Sequence, residues 1–333
     1  RVISHRNKSN IIFKRKKMSV LVYVENWDGA FKKSSFEAVG YAAQVAKTKG
    51  TETIAVCLGD VNGDELAQHG ADKTVVVAGV ASFNAQQYAS IISEVANGVG
   101  ADVIVMSGSN NGKNLAPALS VHFEAALMTN VVALPLSVQP LTVKRGVFSS
   151  KGFADFSSNS SKTIISITPN AIGLLGEPVS GSTESSSASA DADMEISNVE
   201  KASGKIPLPE AELVISAGRG LKAPENWNMV EELAELLGAG TACSKPVSDI
   251  GWRPHSEHVG QTGIQINPNL YIAIGISGAI QHLAGVNGSK TIVVINIDPE
   301  APFFKAADYG IVGDAFEVVP KLTEAIRAFK ANS

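Results

Sequence analysis

Residues 270–282 read LYIAIGISGAIQH, an apolar run followed at once by small and polar residues. The first part, Leu270 to Gly275, predicts a buried β-strand, and the residues from Ser277 onward predict a helix that begins directly after it. Shortly upstream, residues 259–263 read VGQTG, a polar loop bracketed by glycines. Small residues let a flat ring approach the backbone, and Gln, Thr, Ser and His supply directional hydrogen bonds. The two stretches therefore predict a ligand site at the end of a strand.

Strands and helices alternate on both sides of this stretch. Strands are predicted at residues 19–25, 53–58, 73–77, 102–106, 213–217, 270–275, 291–297 and 309–312. Helices are predicted at residues 84–97, 111–127, 224–237, 278–285, 301–307 and 315–330, and another is predicted to start at a capping box in residues 34–37, SSFE. Such alternation indicates βαβ units and a mainly parallel sheet.

The middle of the chain departs from this rhythm. Residues 141–148 alternate like a strand, residues 152–156 form a possible partner, and residues 163–168 form a further strand. We therefore expect an antiparallel extension of the sheet. Residues 181–190, GSTESSSASA, are small and polar, which predicts a flexible surface loop.

The length of the chain, 333 residues, favours two domains. The proline-containing run Ile206-Pro207-Leu208-Pro209 indicates the boundary between them. The predicted fold class is α/β, with an N-terminal nucleotide-binding-like domain at residues 18–205. A C-terminal, Rossmann-like parallel-sheet domain follows at residues 206–333.

Composition excludes several classes of protein. No uncharged apolar run reaches about 18 residues, which argues against membrane insertion. The two cysteines, Cys57 and Cys243, form neither a disulfide framework nor a CxxC metal motif, and they suggest a reducing compartment. From Met18 onward the chain has 21 basic and 32 acidic residues, a net charge of −11, which argues against nucleic-acid binding.

Residues 1–17 hold seven of the 28 basic residues and no acidic residue. They fit a mitochondrial transit peptide, a disordered basic arm, or translated upstream sequence with Met18 as the true start. We favour the third interpretation, because a strand is predicted to begin immediately after Met18. Residues 1–17 are thus expected to be a non-native or targeting extension.

Polar residues follow several predicted strands of the C-terminal half. They are Gly218-Arg219-Gly220, Ser277-Gly278, Asn296 to Asp298, and Asp314. In an open parallel sheet, ligands bind at the carboxyl ends of the strands, so these segments are expected to meet in one crevice. Arg219 with free backbone N–H groups suits a phosphate, and Asp314 suits a ribose or an adenine. The pattern predicts a dinucleotide site without a GxGxxG motif; a helix-entry turn with a solvated Arg219 is the alternative.

His282 lies near the start of its predicted helix. A lone helical histidine most often serves packing, but here Ser277 and Gln281 are close by, and a protonatable donor could stabilise a ring oxygen that gains charge.

Two other motifs are weaker. His255 and His258 are expected to be solvated loop residues, and residues 108–113 resemble a phosphate loop without matching GxxxxGK[ST].

The chain resembles the α subunit of electron transfer flavoproteins. The resemblance runs from Met18 to the C-terminus and is densest at residues 218–222, 259–263, 270–285, 295–302 and 307–314. It implies FAD as the cofactor, held mostly by the C-terminal domain, and a heterodimer with a β subunit. It also implies that the N-terminal domain holds no nucleotide.

The resemblance further implies a redox electron carrier that makes and breaks no substrate bonds. Electrons would come from flavin dehydrogenases, such as the acyl-CoA dehydrogenases of fatty acid β-oxidation. They would pass to a quinone oxidoreductase. A bacterial cytoplasmic location is expected, with the mitochondrial matrix as the alternative. An NAD-dependent two-domain dehydrogenase and a non-catalytic nucleotide-binding module are the rival functions. The dehydrogenase lacks support, because no GxGxxG motif follows a strand and no hydride-site acid or base is evident, and the binding module would account for the N-terminal domain alone.

Carried over onto this chain, the family's pattern assigns roles to individual residues. Gln261 and Thr262 would reach the flavin ring, His282 would face a ring oxygen, and Lys245 stands where many members have arginine. His282, Thr262 and Lys245 would therefore tune the flavin. The full set of implied FAD-binding residues is Arg219, Ser244, Val259, Gly260, Gln261, Thr262, Ser277, Gly278, Ala279, Ile280, Gln281, His282, Asn296, Asp314 and Ala315.

Overall fold

A computed structural model describes residues 18–80, 82–192, 194–199 and 206–332. The extension expected at residues 1–17 lies outside the described residues. The boundary proposed between residues 205 and 206 adjoins an undescribed segment and stays a prediction. No described helix is both long enough and apolar enough to cross a membrane.

The N-terminal half forms a three-layer α/β unit. Its helices are α1 (Lys33–Lys49), α2 (Ala85–Val99) and α3 (Asn110–His122). Its strands are β1 (Ser19–Tyr23), β2 (Asn26–Trp27), β3 (Ala30–Phe31), β4 (Glu52–Leu58), β5 (Lys73–Val77), β6 (Ala101–Ser107), β7 (Ala126–Val131), β8 (Ser137–Val138), β9 (Leu141–Val147), β10 (Gly152–Ser158), β11 (Thr163–Ile167) and β12 (Ser182–Ser185).

Ten of these strands make one sheet in the order β10-β9-β7-β11-β6-β1-β4-β5-β12, with β8 pairing beside β9. Its central strands are buried on both faces. Val20 and Val22 of β1 pack on the α1 side, whereas Leu21 and Tyr23 pack on the side of α2 and α3. Such two-sided burial explains why these strands are continuous apolar runs in the sequence.

The predicted antiparallel extension is correct for β9 and β10 but wrong for the third strand. β9 and β10 pair antiparallel, as expected, whereas β11 pairs parallel to both β6 and β7 inside the main sheet. The expected flexible loop at residues 181–190 is also wrong at its start. Ser182–Ser185 form β12, which pairs parallel to β5 at the sheet edge through backbone groups.

The start of α1 differs from the predicted capping box. The helix has no side-chain cap, and Ser35 Oγ instead donates to the Glu25 carbonyl at 2.6 Å. The buried Glu37 carboxylate accepts backbone N–H groups of Asn170, Ile172 and Gly173 at 2.9, 2.8 and 2.7 Å. The Glu37 carboxylate is therefore oriented by backbone amides that are distant in the sequence, and not by the start of its own helix. The predicted helix at 111–127 is also too long, since α3 ends at residue 122 and β7 follows.

The C-terminal half is a second α/β unit with five parallel strands. They are β13 (Leu213–Ala217), β14 (Gly240–Cys243), β15 (Leu270–Ile274), β16 (Thr291–Asn296) and β17 (Tyr309–Val312), in the order β14-β13-β15-β16-β17. Its helices are α4 (Asn228–Leu237), α5 (Lys245–Asp249), α6 (Ile280–Leu283) and α7 (Ala315–Ala331). The parallel sheet confirms the predicted fold class.

The two faces of this sheet have different coverings. On one face, Ile272 and Ile274 of β15 pack with side chains of α4 and α7 such as Leu233 and Val319. On the other, Tyr271 and Ala273 pack with the loop and turn residues Val259, Ile266, Val286 and Phe303. The glycine-bracketed loop and the start of α6 therefore lie on one side of the sheet, close to the carboxyl ends of its strands.

Candidate functional site

A cavity of about 690 Å³ opens at the carboxyl ends of β13, β15 and β16. Most of the predicted site residues line it: Arg219, Ser244, Lys245, Val259, Gly260, Gln261, Thr262, Ser277, Ala279, Gln281, His282 and Asn296. The polar segments after separate strands thus meet in one crevice. Its volume is in the range of cofactor and small-molecule sites.

The floor of the cavity depends on two glycine turns in close contact. A Cβ atom at Gly220 would lie 2.6 Å from Gly275 Cα, and Gly275 itself has a φ of +61°. The Gly220 amide donates to the Gly275 carbonyl at 3.1 Å. Arg219 sits on this turn and makes no ion pair with the described residues. Arg219 therefore lines the cavity without an acidic partner in the described part of the chain.

The turn between β15 and α6 offers backbone donors. In the part of the chain that the structure describes, the N–H groups of Ser277, Gly278 and Ala279 donate to no protein acceptor. Consecutive free N–H groups form an anion-binding concavity. The Ser277 carbonyl accepts from the Phe303 amide at 3.0 Å, which holds the turn in place. The turn suits a phosphate group.

The glycine-bracketed loop is fastened to both neighbouring segments. The Val259 amide donates to the carbonyl of Cys243, the last residue of β14, at 3.1 Å. The Gln261 amide donates to the Gln281 carbonyl at 2.7 Å. A Cβ atom at Gly260, whose φ is +154°, would lie 3.1 Å from that same carbonyl. The loop therefore lies close against the start of α6, with Gln261 and Thr262 facing the cavity.

His282 is a buried side chain on the cavity wall. It is 7% exposed, and its Nε2 lies 2.8 Å from the Tyr271 hydroxyl oxygen. Its Nδ1 has no hydrogen-bond partner among the described residues. Burial lowers the pKa of His282 to about 4, the nearby His258 acts in the same direction, and the Val259 carbonyl opposes them. Without a bound anion, His282 is thus neutral at neutral pH.

His258 corrects an expectation from the sequence. It was predicted to be solvated, but it is 6% exposed and lines the cavity. Gly263 leaves space for its ring, since a Cβ atom there would lie 2.8 Å from His258 Nδ1. Burial lowers the pKa of His258, and Lys245 lowers it further. No cluster suited to a metal ion occurs among the described residues.

Besides His258, five lining residues are absent from the predicted site, namely Gly275, Ile276, Pro246, Asp249 and Asp298. Pro246 and Asp249 belong to α5, and Asp298 follows β16. The Lys245 Nζ atom lies 3.1 Å from Asp249 Oδ1, so the cavity wall carries an ion pair. In the sequence, Asp298 is the last residue of a polar segment that follows a predicted strand, and it is not among the predicted FAD-binding residues. The strand-end rule that selected Asn296 also applies to Asp298.

Four predicted residues do not line this cavity. Gly278 packs against Phe303, and Ile280 is 66% exposed on the outer side of α6. Asp314 caps α7 by accepting from the Phe316 amide at 3.0 Å, and Ala315 is buried behind it.

The loop at residues 108–113 has a partner within the N-terminal domain. Ser109 Oγ and Asn111 Nδ2 donate to the Glu25 carboxylate at 2.5 and 2.6 Å. A carboxylate at this position repels a phosphate. A second cavity, of about 560 Å³, is lined by Lys113 and Arg145 from the N-terminal domain and by C-terminal residues, but by none of the predicted site residues.

Two family descriptions match the chain. Residues 20–201 match the family described as "Electron transfer flavoprotein domain", and residues 207–287 match "Electron transfer flavoprotein FAD-binding domain".

Several curated proteins named electron transfer flavoprotein subunit alpha are similar to the chain over most of their length. The protein from Bacillus subtilis (strain 168) is 36% identical over 323 residues, covering 94% of this chain and 99% of its own. The protein from Syntrophomonas wolfei is 34% identical, covering 92% and 98%. The protein from Thermoanaerobacterium thermosaccharolyticum is 33% identical, covering 93% and 98%.

The geometry fits FAD. The cavity lies in the matched FAD-binding segment and the strands beside it, and it combines a free arginine, unpaired backbone N–H groups and a loop that a flat ring can approach. Nδ1 of His282, a buried imidazole nitrogen with no partner among residues 18–80, 82–192, 194–199 and 206–332, adds a polar group at its wall. The chain therefore belongs to the electron transfer flavoprotein α-subunit family, and the cofactor of its C-terminal domain is FAD.

Proposed function

We propose that the chain, paired with an electron transfer flavoprotein β subunit, carries electrons from flavin dehydrogenases to a quinone oxidoreductase. Acyl-CoA dehydrogenases are the donors proposed first. The observation that carries this proposal is the cavity at the ends of β13, β15 and β16, where the residues carried over from the family meet. When bound, FAD supplies the ring that takes up and releases electrons, and the chain binds and orients it.

The phosphate end of the site is assigned to Arg219 and the turn after β15. Arg219 supplies a positive charge that no described carboxylate neutralises. The N–H groups of residues 277–279, which have no acceptor among the described residues, are available as donors to a phosphate. Their turn needs no rearrangement for this, because the hydrogen bond from the Phe303 amide to the Ser277 carbonyl already holds it. Ser244, at the start of α5, lies on the same wall.

The ring end is assigned to the loop at residues 259–263 and to His282. Gln261 and Thr262 offer side-chain donors and acceptors on a loop held by backbone hydrogen bonds. His282 offers a neutral, buried imidazole, and Lys245 offers a positive charge partly neutralised by Asp249. Negative charge that develops on a ring beside these groups would be stabilised.

The adenosine end is assigned to Asn296, Asp314 and Ala315. Asn296 lines the cavity; its Nδ2 donates to the Ile276 carbonyl at 3.0 Å, and its Oδ1 accepts from the Asp298 amide at 3.0 Å. One Nδ2 proton and one Oδ1 lone pair are left for a ligand. Asp314 already caps α7, and it lies 3.5 Å from Lys222. A contact from Asp314 to a ribose would use its second carboxylate oxygen.

Purification of the chain together with its β subunit tests this function. We expect co-purification in a one-to-one ratio and a visible flavin absorption spectrum. Anaerobic addition of an acyl-CoA dehydrogenase and its substrate should bleach the flavin bands, and a quinone oxidoreductase should restore them. A nicotinamide dehydrogenase or a nucleotide-binding module would show no flavin bands. The named relatives are bacterial, which supports a bacterial cytoplasmic location for this electron carrier.

A further inference from the structure

Tyr271 and His282 form a buried polar pair beneath the FAD cavity. Tyr271 is fully buried on β15, on the sheet face that the site loop covers. Its hydroxyl oxygen lies 2.8 Å from His282 Nε2. Phe303 packs against both rings, at centroid distances of 6.2 Å from Tyr271 and 5.7 Å from His282. Both side chains are therefore held in one arrangement.

The surroundings favour one direction for this hydrogen bond. Burial raises the pKa of Tyr271 above its ordinary value, so the hydroxyl keeps its proton, and the nearby Ser216 only partly offsets this effect. The Tyr271 hydroxyl is the one hydrogen-bond partner of the imidazole among the described residues, and it faces Nε2. A hydroxyl that keeps its proton can donate it to Nε2, and the proton of the neutral ring then lies on Nδ1.

We propose that Tyr271 is a positioning residue that fixes neutral His282 in the tautomer with its proton on Nδ1. His282 then offers an N–H donor, and not a lone pair, to acceptors on its free side. Nδ1 meets no protein partner in hydrogen-bond geometry within the described chain. A carbonyl oxygen of a bound flavin ring is the acceptor class that suits this donor. The inference rests on the proposed function, because the cavity beside His282 is taken as the flavin site.

The histidine tautomer can be measured directly. The α chain is labelled with ¹⁵N-histidine and studied by NMR in the FAD-loaded heterodimer, and His282→Gln identifies the signal. In the wild type we expect a single neutral tautomer with its proton on Nδ1. In Tyr271→Phe, the ratio of the two tautomers should shift about fivefold toward Nε2–H, as expected for the loss of one net hydrogen bond.

Tyr41→Phe is the matched control. Tyr41 is also fully buried, and its hydroxyl donates to the Ala133 carbonyl at 3.3 Å in the N-terminal domain. This variant should leave the His282 tautomer unchanged. A wild-type proton on Nε2, or an unchanged tautomer in Tyr271→Phe, overturns the proposal even when FAD is bound normally. A heterodimer without flavin would instead refute the proposed function, and the wild-type tautomer in flavin-free protein would still test the role of Tyr271.

Discussion

The Lys245 ammonium lies 3.1 Å from the Asp249 carboxylate, one helical turn away on α5, and both side chains line the cavity at the carboxyl ends of β13, β15 and β16. The pair is half exposed, so each charge acts on the cavity through partly screened interactions. Burial is the main cause of the lowered pKa of His258; the Lys245 charge lowers that pKa further, and the Asp249 charge opposes it. We therefore expect the balance between the two charges to influence the flavin potential.

Removal of the Lys245 charge should make the flavin harder to reduce. We expect Lys245→Gln to lower the two-electron potential by about 20 mV, which corresponds to about 1 kcal/mol. Asp249→Asn should raise it by a similar amount, because Lys245 would lose its counter-charge. Lys245→Arg keeps the charge and tests hydrogen-bond geometry alone. Dye-coupled redox titration measures all three, with Lys321→Gln on exposed α7 as control; equal potentials in all variants would contradict this role.

Arg219 should contribute mainly to the retention of FAD. A charge-assisted hydrogen bond to a phosphate contributes about 1.5–3 kcal/mol, so Arg219→Ala should weaken FAD binding roughly tenfold or more. Arg327→Ala is the matched control, since Arg327 is exposed on α7 and pairs only with Glu232 among the described residues. Flavin content after gel filtration and the dissociation constant report the effect. Full flavin content in Arg219→Ala would remove this assignment.

The contact between the turns at Gly220 and Gly275 should not tolerate a side chain. In Gly220→Ala the new Cβ atom would lie 2.6 Å from Gly275 Cα, so two backbone segments must move apart. We expect a loss of about 1–3 kcal/mol in the free energy of unfolding, together with reduced FAD retention. Gly98→Ala on α2 has open space around its Cβ position and should be neutral or stabilising. Similar melting temperatures for both variants would contradict the prediction.

The sequence predicted best what short-range patterns control. The strand at Leu270–Ile274 and the polar residues after it were predicted because a buried parallel strand is apolar throughout and ligands bind at its carboxyl end. The same rule predicted that Arg219, Ser277 and Asn296 lie close together, and all three line one cavity. Both features follow from residues that are neighbours in the chain.

Features that depend on distant partners were not predictable from these patterns. β12 is wholly polar and exposed, and it is a strand only because β5 offers an unpaired edge. Glu37 fits a capping motif, yet three amides from a loop more than 130 residues away take its carboxylate. His258 becomes buried only when the loop containing Gly260 and Gly263 folds around its ring.

His282 should make stability depend on pH below neutrality. Its pKa is about 4 in the folded chain and about 6.5 when unfolded, so between these values the unfolded chain binds more protons. The corresponding stability is fully present above pH 6.5 and is lost as the pH falls toward 4, by up to about 3 kcal/mol. Thermal unfolding of the heterodimer between pH 4 and 7.5 should show a steeper loss in the wild type than in His282→Gln. His122→Gln, at an exposed position of α3, should keep the wild-type slope. Equal slopes in the wild type and His282→Gln would show that protonation of His282 does not cause the loss of stability at low pH.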